Sequence, residues 1–255
     1  MFAKAAARNR LFALYAFNLE LARVAESVSE PALGEIRLQW WRDTLAGVYR
    51  DSPRDHPVAT ALAGTGAGHA VSRDTIENLI DARARDLDET PMPDRRALID
   101  YAEGTSSTLL SLALDVLEIT GTVTRAAAGP LGRAWALTGI IRATGHLAAR
   151  RRILLPADLT MRLGLTKHQI LHGTHGPALQ SAISEIAFWA EQDLAAACGE
   201  RTPRAALPVM LTATLTRAYL RRLSRSAFNP YDSRLVISPL ARQIKLLASA
   251  AGNRP

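Results

Sequence analysis

Few side chains in this sequence are placed to do metal or acid–base chemistry. His168 and His172 in KHQILHGTHG stand four apart, a spacing that stacks two imidazoles on one helix face and could begin a zinc site. No nearby cysteine or acid completes the set, and Gly173 and Gly176 end the helix there. With His175 they read as a polar helix end rather than a metal centre. GTGAG at Gly64 to Gly68 lacks the GxGxxG spacing and a preceding strand, so it is a turn between helices. GxxxxGK[ST], GxSxG and HExxH motifs are all missing. Cys198 is the single cysteine, which excludes a disulfide framework and fits a reducing compartment.

Arginine dominates the remaining chemistry. Lysine and arginine total 31 against 24 acids, a net charge of +7, which favours anionic partners such as phosphates or acidic lipid surfaces. Arg217, Arg221 and Arg225 share one helix face beside an apolar stripe of Leu211, Leu215, Tyr219 and Leu223, and Arg150 to Arg152 form a second cluster. Only 5% of the chain is aromatic and the arginines are not interleaved with aromatics, so a base-stacking nucleic-acid platform is not expected.

These groups need a helical frame. Ile76, Leu79, Ile80, Arg83 and Leu87 follow helical spacing, and Asp74 with Glu77 predicts a capping box at the start of that helix. Prolines and glycines, including Pro31, Gly129–Pro130, Gly176–Pro177 and Pro239, cut the sequence into pieces of helical length. Pro208 is expected in a first helical turn. The reading is all-α, a single-domain bundle over residues 1–255 with about eight to ten helices around a central cavity. Of Trp40 and Trp41, adjacent on a helix, one is expected inside and one partly exposed. The apolar run near Leu207 to Leu215 is about half the ~20 residues needed to span a bilayer. Nothing at the N-terminus reads as a secretory signal. A cytoplasmic protein, peripheral at the inner membrane, is therefore expected.

Three segments, FALYAFNLELARVAESV, YAEGTSSTLLSLALDVL and LGRAWALTGIIRATGHLAARRRILLPADL, resemble the squalene/phytoene synthase family. The likeness runs from about Phe12 to Leu247, and LYAF, RLQWW, RRRILLPADL and the C-terminal Arg-to-Lys segment carry it most strongly. It implies an isoprenoid-synthase bundle in which two acidic motifs hold Mg²⁺ against a prenyl diphosphate. Carried onto this sequence, the first motif falls at Ala22, Arg23 and Glu26, and the second, after Arg142, at Ala143, His146 and Leu147. Only Glu26 remains an acid. Asp81 and Asp86, in an IDARARDL stretch resembling a further acidic turn of the family, are the other carboxylates on offer.

The same resemblance implies diphosphate-holding groups at Arg37, Asp86, Arg142, Arg152, Tyr219, Arg234 and Lys245. His146 could ligate a metal or carry a proton. Its plainer role is to line or cap a pocket vacated by carboxylates. The sequence looks closest to a divergent branch that includes a mitochondrial factor needed to assemble respiratory complex I. The expected function is thus a non-catalytic assembly or isoprenoid-binding factor at the inner membrane, partnering an isoprenoid lipid, a respiratory-complex subunit or an anionic membrane surface. No cofactor and no metal are expected. The alternative is a transferase condensing two prenyl diphosphates head to head, for which Mg²⁺ would be required.

Overall fold

The computed structural model describes residues 2–66, 70–198 and 202–252. Among them no β-strand occurs, and thirteen α-helices follow one another: α1 (Ala5–Arg23), α2 (Pro31–Val48), α3 (Pro57–Gly64), α4 (Arg73–Ala84), α5 (Arg95–Ala102), α6 (Thr108–Val116), α7 (Thr122–Ala149), α8 (Ala157–Arg162), α9 (Lys167–Leu171), α10 (Pro177–Ala197), α11 (Leu207–Met210), α12 (Thr212–Arg225) and α13 (Pro239–Gly252). Ten of these run eight residues or more. Gly68, the last residue of the GTGAG turn, lies outside the described residues.

Proline opens helices here. Pro31, Pro57 and Pro177 sit in the first turns of α2, α3 and α10, where the missing amide has no intrahelical partner to lose. Pro208 occupies the same place in α11. The run it belongs to is not one helix, because the chain breaks at Leu211 before α12 starts. Gly129–Pro130 corrects the sequence reading in the opposite sense: α7 passes through Pro130 and continues for 28 residues in all. The neighbouring turn packs closely against α7 here. Ser107 Oγ donates to the Gly129 carbonyl at 2.6 Å, and the chain at Ser107 presses so closely on α7 that a Cβ on Gly132 would come within 2.3 Å of Ser107 Cα. The capping box is a second correction. The cap residue of α4 is Ser72, Asp74 lies inside the first turn, and Glu77 takes the Arg73 guanidinium at 2.7 Å.

α7 is the axis of the molecule. It packs along α10 and also meets α5, α6, α12 and the π-helical turn Glu103–Ser107 that links α5 to α6. α1, α2, α3 and α4 close the other side. One continuous apolar core joins these layers. Within it Phe17 of α1 meets Trp41 of α2 edge-on at 5.2 Å. Trp41 is buried and Trp40 half-buried, as their 100° separation on a helix requires.

Candidate functional site: a charge-paired central cavity

A cavity of about 240 Å³ opens between α1, α4, α5 and α7. The α7 wall follows from helical spacing: Ala136, Ile140, Ala143 and Leu147 lie at i, i+4, i+7 and i+11, and all line the cavity. Ala22, at the end of α1, faces them, with Glu26 on the 3₁₀ turn Val24–Glu26. The π-helical turn supplies Thr105 and Ser106. A larger groove of about 570 Å³ adjoins the cavity, shares Glu26, Asp86, Leu147 and Arg152 with it, and adds Arg150, Arg151 and Lys167.

The polar side of the cavity is built on Asp86. Its carboxylate accepts from Tyr101 Oη at 2.8 Å and from Arg83 at 3.2 Å, and Arg152 Nη2 stands 3.8 Å away. Arg83 also donates to Asn18 Oδ1 at 3.3 Å. The Asp86 and Arg83 side chains are only 10% and 14% exposed. Burial, reinforced by the charge of Asp86, raises the Tyr101 phenol far above its ordinary range, so it stays a proton donor. Arg83 Nε and Arg152 Nη2 are buried with no hydrogen-bond partner.

Arg152 reaches the cavity because of how α7 ends. Arg151 adopts a left-handed conformation at φ 57°, the Arg152 amide donates to the Leu147 carbonyl and the Arg151 amide to that of Ala148. This Schellman turn reverses the chain within the RRR run and sends its third arginine inward.

The acidic-motif positions carried over from the sequence do meet here, but without an acidic cluster. Ala22, Ala143 and Leu147 line the cavity and offer no oxygen ligands. Glu26 sits at the rim, 3.3 Å from His146 Nε2 and 3.7 Å from Arg150. Arg23 and His146 are exposed. Asp81 is turned away and takes Arg42 at 2.6 Å. Among the described residues no three His, Cys, Asp or Glu side chains converge on a point that could hold a metal ion. Mg²⁺ prefers several hard oxygens in octahedral geometry. The two carboxylates lining the cavity are already claimed by arginine, histidine and tyrosine. The residues present do not fit the metal cluster that the resemblance implies.

Of the expected diphosphate-holding groups, Asp86 and Arg152 line the cavity and the others do not. Arg37 donates to Ser27 Oγ at 2.7 Å on the surface. Arg142 stacks 3.7 Å over the Tyr219 ring, and Tyr219 in turn lies 6.4 Å from Trp135. Arg234 is held by Asp232, whose carboxyl its guanidinium keeps below the usual carboxylate range. Lys245 is exposed on α13. His168 and His172 stack at 4.2 Å at the exposed end of α9, where Gly173 turns left-handed at φ 67°.

Sequence reasoning missed Arg83, Tyr101, Thr105, Ser106 and Trp135. One signal was available: Arg83 interrupts an otherwise apolar helical stripe, and a cation in such a stripe is buried only with a counter-charge.

A sequence profile described as squalene/phytoene synthase matches residues 1–241. The chain belongs to that family. Human NADH dehydrogenase (ubiquinone) complex I, assembly factor 6 is 32% identical over 233 residues, which is 91% of this chain and 70% of the human protein. Its Dictyostelium discoideum homologue is 26% identical, over 89% of this chain and 65% of that protein. A presqualene diphosphate synthase from Rhodopseudomonas palustris is 27% identical over 164 residues, 62% of this chain and 57% of that enzyme. Two solved structures share the family fold at 18% identity. A dehydrosqualene synthase in complex with ligand superposes with a TM-score of 0.83 over 98% of this chain and 88% of that one. A squalene synthase from Alicyclobacillus acidocaldarius gives 0.78 over 90% and 88%.

Proposed function

We propose that this squalene/phytoene synthase family member is a non-catalytic scaffold, an assembly or isoprenoid-binding factor that serves a respiratory complex from the periphery of the inner membrane and uses no metal cofactor. The observation that carries the reading is the neutralised cavity. Ionising an allylic diphosphate requires positive charge, preorganised in a dry site, aimed at the departing oxygens. Here Ala22, Ala143 and Leu147 stand where metal-binding oxygens would be needed, and Asp86 is bound to the protein's own cations. Loss of one preorganised contact of that kind removes roughly 2.7–4 kcal/mol of transition-state stabilisation. Several losses in one site lower turnover by many orders of magnitude even when they are not additive. The apolar walls, with Arg83 and Arg152 on the polar side, suit a lipid with an anionic head group. Similarity to the assembly factors over nine-tenths of the chain supports the assembly role.

The competing reading is a transferase that condenses two prenyl diphosphates, with Glu26, Asp86 and the arginines in place of the metal sites; it draws on the likeness to the presqualene diphosphate synthase. Incubation with farnesyl or geranylgeranyl diphosphate and Mg²⁺ separates the two. The scaffold reading expects neither pyrophosphate nor a coupled product, and clear turnover would overturn it. Ala143→Asp with Leu147→Asp is expected to create Mg²⁺-dependent diphosphate binding, read by calorimetry.

A further inference from the structure

The C-terminal helix leaves an apolar stripe in solvent. None of the fourteen residues of α13 is buried, and three of its aliphatic side chains stand outward: Leu240, Ile244 and Leu247 are 67%, 56% and 47% exposed, while Leu246 is half-buried. At 100° per residue the three exposed side chains fall within about 60° of the helix circumference. The opposite side, with Leu246, Ser249 and Ala250 half-buried, meets the bundle. Ser249 bonds Thr214 of α12 at 2.7 Å. The lead-in to the helix is fixed rather than loose, since Arg222 Nη1 donates to the carbonyls of Arg234 and Val236 at 2.7 Å each. Val236, just ahead of the helix, is 72% exposed and extends the apolar patch.

Charge is distributed to match. α13 carries Arg242 and Lys245 and no acid, and both cations lie on the side of the helix opposite the aliphatic stripe. Arg142, on the adjoining part of α7, has the Tyr219 ring rather than a carboxylate as its partner. Burial and, to a smaller extent, the charge of Arg242 lower its pKa from the usual arginine value, and it remains a cation. Arg242 and Lys245 behind a row of exposed leucine and isoleucine, on a helix with no acid, present the pattern of a helix lying in a membrane interface: aliphatic side chains enter the acyl boundary and cations meet the phosphates above it. The stripe contains no aromatic residue of the kind that anchors protein interfaces.

We propose that α13 docks this protein onto an anionic phospholipid surface, with Leu240, Ile244 and Leu247 entering the bilayer and Arg142, Arg242 and Lys245 contacting lipid phosphates. The inference rests on the membrane-peripheral part of the proposed function and is independent of whether the cavity turns over a substrate.

Flotation of the full chain with phosphatidylcholine vesicles, with and without about 30% phosphatidylglycerol, tests it. The chain is expected to partition at least about tenfold more onto the anionic vesicles at low salt, and the preference to fall as salt rises. Leu240→Ser, Ile244→Ser and Leu247→Ser together are expected to lower that partition about tenfold or more with an unchanged melting temperature, because the replaced side chains are already in water. Arg242→Glu with Lys245→Glu is expected to abolish the anionic preference. If the wild-type chain floats and the serine variant floats equally, the assignment to α13 is wrong while the peripheral reading stands. If the wild type floats on neither vesicle, both fall. A solution dimer that the serine variant dissociates would assign the stripe to a second copy and overturn the lipid proposal. Pyrophosphate release, measured separately, reports on the cavity alone.

Discussion

The central cavity and the α12–α13 end of the molecule use the same residue types in opposite ways. In the cavity, charges are turned inward and matched: Asp86 is encircled by Arg83, Arg152 and Tyr101. At the C-terminal end, Leu240, Ile244 and Leu247 are turned outward and Arg142 takes the Tyr219 ring as its partner instead of a carboxylate. Both regions carry helical periodicity in the sequence. Spacing says which residues share a face and is silent on whether that face meets protein, water or lipid. The contrast also separates consequences. A change in the cavity should register as lost folding stability, and one on α13 as lost association.

Asp86→Ala should break the first half of the comparison most severely. It leaves two largely buried guanidinium groups without their carboxylate, a loss of roughly 3–5 kcal/mol, to be read from the midpoint of urea unfolding. Leu247→Ser on α13 should stay within about 0.5 kcal/mol in the same assay. A loss of similar size in both would erase the distinction. Gly132→Val comes next, at about 3 kcal/mol, because the new side chain meets the Ser107 backbone, which cannot swing aside as a side-chain tip can.

The alkaline limb of stability should sharpen the picture further. The folded-state pKa of Tyr101 is raised by burial and by Asp86 above the ordinary tyrosine value of 10.0. The folded form therefore holds its proton when the unfolded chain releases it, so the Tyr101 contribution is intact below pH 10 and is lost as pH climbs above that value. Melting temperature is expected to fall steadily from there, less steeply in Tyr101→Phe. An equal slope in the variant would assign the effect to other tyrosines. The smallest effect belongs to Arg151→Gly, which relieves a left-handed non-glycine residue. Stability should change by between about 0 and +1 kcal/mol.

The bundle was legible because its signals are local. Prolines at helix starts, the apolar stripe of α4 and the adjacent tryptophans of α2 each depend on residues within a few positions of one another. The cavity was legible in part. Ala22, Ala143, Leu147, Asp86 and Arg152 could be named from motif positions and do converge, whereas Thr105 and Ser106 could not, since a π-helical turn aims them and no spacing rule announces it. The packing of Ser107 on α7 at Gly129 and Gly132, beside Pro130, was hidden for a related reason: it joins residues far apart in sequence. Arg142, Tyr219, Arg234 and Lys245 lie apart from the cavity because the packing of α12 and α13 on the bundle is tertiary and leaves no mark in a single strand of letters.

The turn Glu103–Ser107 has one more implication. A π-helical turn amounts to an α-helix accommodating a single surplus residue. Excising one amino acid between Glu103 and Ser107 would let α5 run straight into α6 as regular helix and swivel one against the other by about 100°. Thr105 and Ser106 would leave the cavity wall, and Ser107 would lose its grip on Gly129. The shape of the cavity thus hinges on the number of residues in a five-residue stretch, so a one-codon deletion would remodel it while leaving every side chain on α7 in place.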